Sequence, residues 1–230
     1  MTTLLLRLAG PTQGWDTHQH RVGDPTHRPI ARTHPAEALA PTTSGIIGFL
    51  GAALGRPWSA PDGRLRIRPE LADLAACDIV VRADQPGRPR LEFRTTRRRI
   101  AAGMAVSPRA ETVLDDAVFL VGVDGPDSLV DEITTALHAP RYALFLGKRE
   151  FPPTLPILLG TTALDAETAA RGHEWLAARW WREREHQTVR LRVYRPHLAR
   201  RHTPDAADEL ADAEIDNPAG RPAPDWLSAL

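Results

Sequence analysis

The stretch "PTTSGIIGFLGAALGR", residues 41–56, constrains the fold more than any other, because its glycines recur at 45, 48, 51 and 55. A phosphate loop of the Walker type needs Gly, four residues, then Gly-Lys-Ser/Thr, and this stretch has no lysine. The dinucleotide fingerprint fails too, because the spacing is three, three and four. Wound as a helix, the four glycines fall within an arc of about 120°. Ile46, Ile47, Phe49, Leu50 and Leu54 fill the remainder, so the helix is apolar all round and must be buried. Each glycine costs roughly 1 kcal/mol relative to alanine in a helix interior, so close backbone approach has to offset roughly 4 kcal/mol. Thr43 or Ser44 is the natural N-cap, and the N–H groups after it form an anion site that a phosphate can use without hydrolysis.

The 230 residues carry no net charge, but the charges are unevenly spread. Val80 to Val113 holds eight arginines against three acids, net +5, whereas Thr203 to Leu230 holds seven acids and one arginine, net −6. A basic middle implies a polyanionic partner. Lys148 is the only lysine in an arginine-rich chain, so each arginine taken alone carries less meaning. The single cysteine, Cys77, excludes an internal disulfide and fits a reducing cytoplasm. With no apolar run of membrane-spanning length and no signal-peptide pattern, the expectation is a cytoplasmic protein that does not enter a membrane.

Periodicity orders the rest of the chain. Residues 2–9 read as a buried strand, 10–41 as a long loop, and 64–75 as containing a short helix. "DIVVRADQPG" alternates like a strand and ends in a turn signal. The segment from "RPRLEF" to "DDAVFLVGVDG" reads as a projecting basic hairpin that returns into a core strand at Ala117–Val123. Leu129, Val130, Ile133 and Leu137 mark an amphipathic helix. "RYALFLGKREFPP" reads as a strand closed by a Gly-basic turn, "LDAETAARGHEWLAARWW" as a helix, and "TVRLRVYRP" as a last strand. From Thr203 the acidic, aperiodic chain reads as a flexible tail. Interleaved strands and helices with a hairpin predict an α+β fold of the ferredoxin-like kind.

Five segments in this order, "LLLRLAGPTQGW", "PTTSGIIGFLGAALGR", "VVRADQPG", "DDAVFLVGV" and "LGKREFPP", carry a resemblance. Over roughly residues 1–200 the chain resembles the CasD family within the RAMP superfamily. These are the subunits of type I-E CRISPR Cascade that hold the 5′ handle of the guide RNA. The resemblance implies a ferredoxin-like (RRM-like) palm over residues 1–202, with a β-hairpin thumb at about 82–113, followed by the 203–230 tail. It implies an antiviral ribonucleoprotein subunit that binds crRNA without cutting it and needs no cofactor. Its partners would be the guide RNA, the Cascade backbone subunit and the large subunit, with target DNA met only through the complex.

The same resemblance places Gln13 and Trp15 near the handle. It offers Thr43, Ser44 and Gly45 to a phosphate, sets Arg94, Thr95, Arg97, Arg98 and Arg99 on or near the thumb, and puts Gly147, Lys148 and Arg149 beside the RNA. The His-rich loop from Asp16 to Ala40 and the acidic tail depart from the family pattern. Trp15 could stack on a base or sit in a core. The arginine run could grip RNA or be a solvated face that protects an exposed edge. Histidines 18, 20, 27 and 34 match no zinc spacing, so no metal is expected. Trp175, Trp180 and Trp181 read as core or interface anchors. An endoribonuclease acting on the guide precursor, as in type I-C relatives, is the alternative. Lys148 would be its cation, with His18, His20 or His34 as candidate bases. A general RNA-binding or protein-interaction module is the third reading.

Overall fold

A computed structural model describes residues 1–15, 20–21, 40–57, 69–100, 103–196 and 207–221. Its framework is an antiparallel sheet. Strand β1 is Thr2–Gln13, β2 His20–Arg21, β3 Asp78–Gln85, β4 Arg88–Ile100 and β5 Gly103–Gly125. After these come β6 Leu158–Thr162, β7 Thr188–Pro196 and β8 Ala207–Asp216. The strand order is β6-β1-β5-β3-β7-β8, with β2 and β4 both pairing with β5.

Alternation along the strands gives the sheet two apolar faces. Leu4, Leu6 and Leu8 of β1 join Phe119, Val121 and Val123 of β5 in one core, which helices α1 (Thr43–Leu54) and α3 (Asp127–His138) cover. Leu5, Val80, Leu120 and Val193 point to the other face, under α4 (Ala166–Gly172) and Trp175. A short 3₁₀ turn, Pro69–Leu71, leads into α2 (Ala72–Ala75), and α5 (Arg179–Arg182) closes the set. Among the described residues no helix is long and apolar enough to cross a membrane.

The glycine-spaced helix, the strand from Asp78, the hairpin, the amphipathic helix and the strand from Thr188 all form where the periodicity puts them. Six expectations are corrected. β1 runs on through the "GPTQ" segment to Gln13, because its backbone keeps pairing with β5 as far as Gln13↔Leu114. The N-cap is Thr42, whose hydroxyl accepts from the Gly45 amide at 3.1 Å. The helix ends at Gly55, a left-handed cap (φ 76°) outside the helical packing face. The "RYALF" segment is no strand: Arg141 and Tyr142 donate their amides to the carbonyls of Ala53 and Ala52 at the end of α1, so they have no sheet partner. The late helix breaks at His173, and α5 restarts at Arg179.

The sixth correction concerns the acidic end. Instead of trailing as a tail, residues 207–216 form β8 on the outer edge of β7. Composition hid this strand, since acids lower β propensity, but pairing with arginines offsets the cost. Arg190 lies opposite Glu214, 3.9 Å away, while Leu210, Ala213 and Ile215 rest on the second core.

Replacing Thr42 by alanine removes the only side-chain cap of α1. The expected loss is about 1 kcal/mol, read as a lower urea midpoint with an unchanged slope; Thr42→Ser should restore most of it.

Candidate nucleic-acid interface

Gln13 and Trp15 are interior residues. Gln13 donates through Nε2 to the carbonyls of Ala117 (2.7 Å) and Leu8 (3.3 Å), and its Oε1 accepts from Trp15 Nε1 at 2.7 Å. The Trp15 ring is 3% exposed, so it is a core tryptophan with no face open to a base. Its role is to hold the start of α1, since a Cβ added at Gly45 would sit 2.9 Å from the ring. Gly45 is a glycine for this reason, and the close approach expected of the glycine face is real here.

At the α1 start Thr43 is buried, its hydroxyl bonded to the Pro196 carbonyl, while Ser44 stays half-buried with its Oγ 3.2 Å from the Thr42 hydroxyl. Apart from the Gly45 amide, which the Thr42 hydroxyl caps, the helix supplies no acceptor for its first amides, and no acidic side chain occupies its first turn. An anion is the natural complement to that positive end.

The "LGKRE" turn lies against the same place. Gly147 has φ 81°, and a Cβ there would fall 2.1 Å from the Gly14 carbonyl oxygen. Gly14 donates to the Leu146 carbonyl at 3.0 Å, and the turn is pinned by Phe151 N–H to Lys148 carbonyl (3.0 Å) and Leu146 N–H to Phe151 carbonyl (2.7 Å). Lys148 is half-buried and Arg149 exposed. Thus the tertiary fold brings together three of the segments singled out above: Gln13–Trp15, Thr42–Gly45 and Gly147–Arg149.

The hairpin residues stand apart from this cluster. β4 and β5 pair without interruption from Arg88↔Asp115 to Ile100↔Gly103. At about 3.3 Å per residue the 13-residue arm of β4 reaches roughly 40 Å. Arg94, Thr95, Arg97, Arg98 and Arg99 sit opposite Arg109, Pro108, Val106, Ala105 and Met104. Thr95 and Arg97 are exposed. At the base Arg90 Nε meets Asp115 at 2.6 Å, and the Thr12 hydroxyl bonds the same carboxylate at 2.9 Å. The Arg90 contact, then Thr12, holds the Asp115 carboxyl below the usual carboxylate range, so the pair persists until pH falls through that lowered value.

Two features escaped the sequence reading. Leu91, Phe93 and Val106 are exposed large apolar side chains, and the register puts all three on one face of the arm. The alternation in "RLEFRT" was the available signal. Arg82, counted above with the basic stretch, is fully buried with Asp84. It donates to both Asp84 oxygens (2.7 and 2.8 Å), to the carbonyl of Ala170 in the last turn of α4 and to those of His173 and Glu174 just past it. It is a structural arginine and adds nothing to the surface charge.

Histidines 18, 27 and 34 lie outside the described residues, and of His20 only the backbone, paired with Ala110, is described. Trp175 is buried, Trp181 partly buried, and Trp180 is 38% exposed beneath the Arg184 guanidinium. Burial pushes the Cys77 thiol up to about 11, helped by Asp73 and Asp124, so it stays protonated at neutral pH.

An antiparallel sheet covered by helices on both faces carries a long basic hairpin, and a lysine turn lies beside a helix start. The family model "CRISPR-associated protein (Cas_Cas5)" matches residues 3–219, and the chain belongs to that family. The match runs through β8, beyond the roughly 200 residues over which the five segments carry the resemblance. The chain is 30% identical to the Cascade subunit CasD of Escherichia coli strain K12, over 74% of this chain and 76% of that one. A solved structure titled "Crystal structure of Cas protein" is 26% identical with a TM-score of 0.56, covering 94% of this chain and 95% of the other. A chain of a "CRISPR RNA-guided surveillance complex" shares the fold at TM-score 0.61 and 24% identity, over 98% and 96%.

Proposed function

We propose that this chain is a non-catalytic RNA-binding subunit that anchors the 5′ handle of the guide RNA in a Cascade-type surveillance complex. The observation that carries the reading is the convergence of the Lys148 turn and the open start of α1 on Gly14 and Trp15. That arrangement offers helix amides and a lysine to phosphates, with no need for a reacting group. The likeness to the Cascade subunit CasD supports the same assignment. Guide RNA, a backbone subunit and a large subunit are then its partners, in the cytoplasm, and target DNA is met only through the complex.

The finer fold reading follows. The order β6-β1-β5-β3, with α1 and α3 on one face, supports a ferredoxin-like (RRM-like) palm. The β4–β5 arm is its thumb, and β7 and β8 extend the palm. By register the arm has two faces. Arginine positions fall on both: Arg97 and Arg99 share the face of Leu91, Phe93 and Val106, while Arg94, Arg98 and Arg109 lie on the other. We therefore assign the arginine positions to RNA and the apolar side chains nearer the base, Leu91 and Phe93, to a protein neighbour.

The test is to purify the tagged chain gently from its own cells and sequence the RNA that accompanies it. Short RNAs sharing one 5′ end and diverging downstream are expected; heterogeneous RNA, or none, would sink the assignment. Metal-free cleavage of precursor RNA at one bond by the purified chain would favour the endoribonuclease instead.

A further inference from the structure

We propose that Gly14 is a positioning residue for Lys148, the absence of its side chain being the seat on which the lysine stem lies. The proposal rests on the RNA-anchoring reading above and deepens it. A Cβ built on Gly14 would meet Phe151 Cε2 at 2.7 Å and Lys148 Cδ at 3.0 Å. The first is closer than a side chain tolerates and the second tighter than nearly all real contacts, so the ring must move and the lysine stem must give by a few tenths of an ångström if that space is filled. On its other side Gly14 touches Gly147, whose left-handed turn leaves 2.1 Å between a notional Cβ and the Gly14 carbonyl oxygen.

The two glycines therefore interlock, one by lacking a side chain and the other by its backbone angle. Hydrogen bonds fix the register: Gly14 N–H to Leu146 carbonyl, and Phe151 N–H to Lys148 carbonyl. The next residue, Trp15, is wedged against Gly45 at the first turn of α1. Lys148 is thus oriented by a rigid chain of contacts running from the end of β1 to the helix start. A flexible lysine loses several rotamers when it binds, and a prepared seat lowers that cost. Gly14 touches the lysine stem and acts through it, without itself meeting RNA.

The experiment is a double-mutant cycle on the full chain with Gly14→Ala and Lys148→Ala. Its readout is affinity for a labelled single-stranded RNA bearing the 5′ sequence recovered with the chain, measured across a salt series. Lys148→Ala should weaken binding several-fold and flatten the log K against log salt slope by about 0.7, the share of one phosphate on a single strand. Gly14→Ala should do the same, and the double variant should be no worse than either alone. Phe151→Leu removes the atom nearest the new methyl, so Gly14→Ala/Phe151→Leu should recover part of the affinity and slope. That pair also replaces the single variant if Gly14→Ala does not fold.

A Gly14→Ala protein with wild-type affinity and slope would overturn the proposal. So would losses that multiply in the double variant, or lowered thermal stability with an unchanged slope. If Lys148→Ala alone changes neither affinity nor slope, the RNA-anchoring role of this turn fails first, and the proposal falls with it.

Discussion

Arg82→Ala is expected to destabilise the chain by about 3–5 kcal/mol, because it strands a buried, unpaired Asp84 carboxylate. Both side chains are fully buried, and Asp84 also accepts from the Leu176 amide at 2.7 Å. The carbonyls of Ala170, His173 and Glu174, which Arg82 ties to β3, lose their partner in the same step. Helix α4 and the Trp175 segment are then released together, since Trp175 Nε1 itself bonds the Asp84 carbonyl. At about 2–4 °C per kcal/mol for a chain of this size, the loss appears as a melting shift of roughly 6–20 °C. Lysine will not substitute, having one ammonium where five carbonyl and carboxylate oxygens need a planar fork. Replacing the pair together, Arg82→Met/Asp84→Leu, should cost less than Arg82→Ala, because no charge is left buried. Urea denaturation with circular dichroism decides it. A single variant within about 0.5 kcal/mol of wild type, the usual range for surface changes, would mean the pair is not buried in solution.

The second large effect is on binding. Arg97→Ala/Arg98→Ala/Arg99→Ala should leave the fold intact, because these positions lie far along the arm, opposite Val106, Ala105 and Met104. If two of the three reach phosphates, as alternation on one face allows, the salt slope for single-stranded RNA falls by about 1.4; if all three do, by about 2. Affinity should drop in proportion at low salt and converge with wild type at high salt. An unchanged slope would return the run to a solvated face that keeps the hairpin edge from pairing with other chains.

Local physics made much of the fold legible. Period-two alternation located β3, the arm and β7, and the 3.6-residue period located α3. The glycine spacing was read correctly as close packing, and Gly45 against Trp15 is that contact. Two readings failed, and a third stayed open, because the deciding partner was far away in sequence. β8 reads as a disordered acidic run until the arginines and apolar residues of β7 are set beside it. "RYALF" alternates like a strand, yet its amides go to the end of α1. Trp15 follows a glycine and could have faced solvent; the Gln13 amide, held by carbonyls of β1 and β5, draws its indole inward.

The candidate site divides along the same line. Lys148 stood out as the only lysine, beside a glycine turn, and the residues at the start of α1 stood out for their cap chemistry. Their adjacency could not be read, since residues 13–15, 42–45 and 147–149 are joined only through the packing of two glycines and a tryptophan. Arg82 shows the converse: eight arginines in one stretch look alike in sequence, and only burial separates it, a structural ion, from those on the arm.

The sequence by itself determined which segments become strands and helices wherever periodicity and capping act over a few residues. It also determined the family, through motifs kept in order. The tertiary structure alone decided which arginine is buried, where the acidic end goes and which glycines seat the lysine. Those outcomes depend on contacts between residues tens of positions apart, whose free energy exists only once the sheet has brought them together.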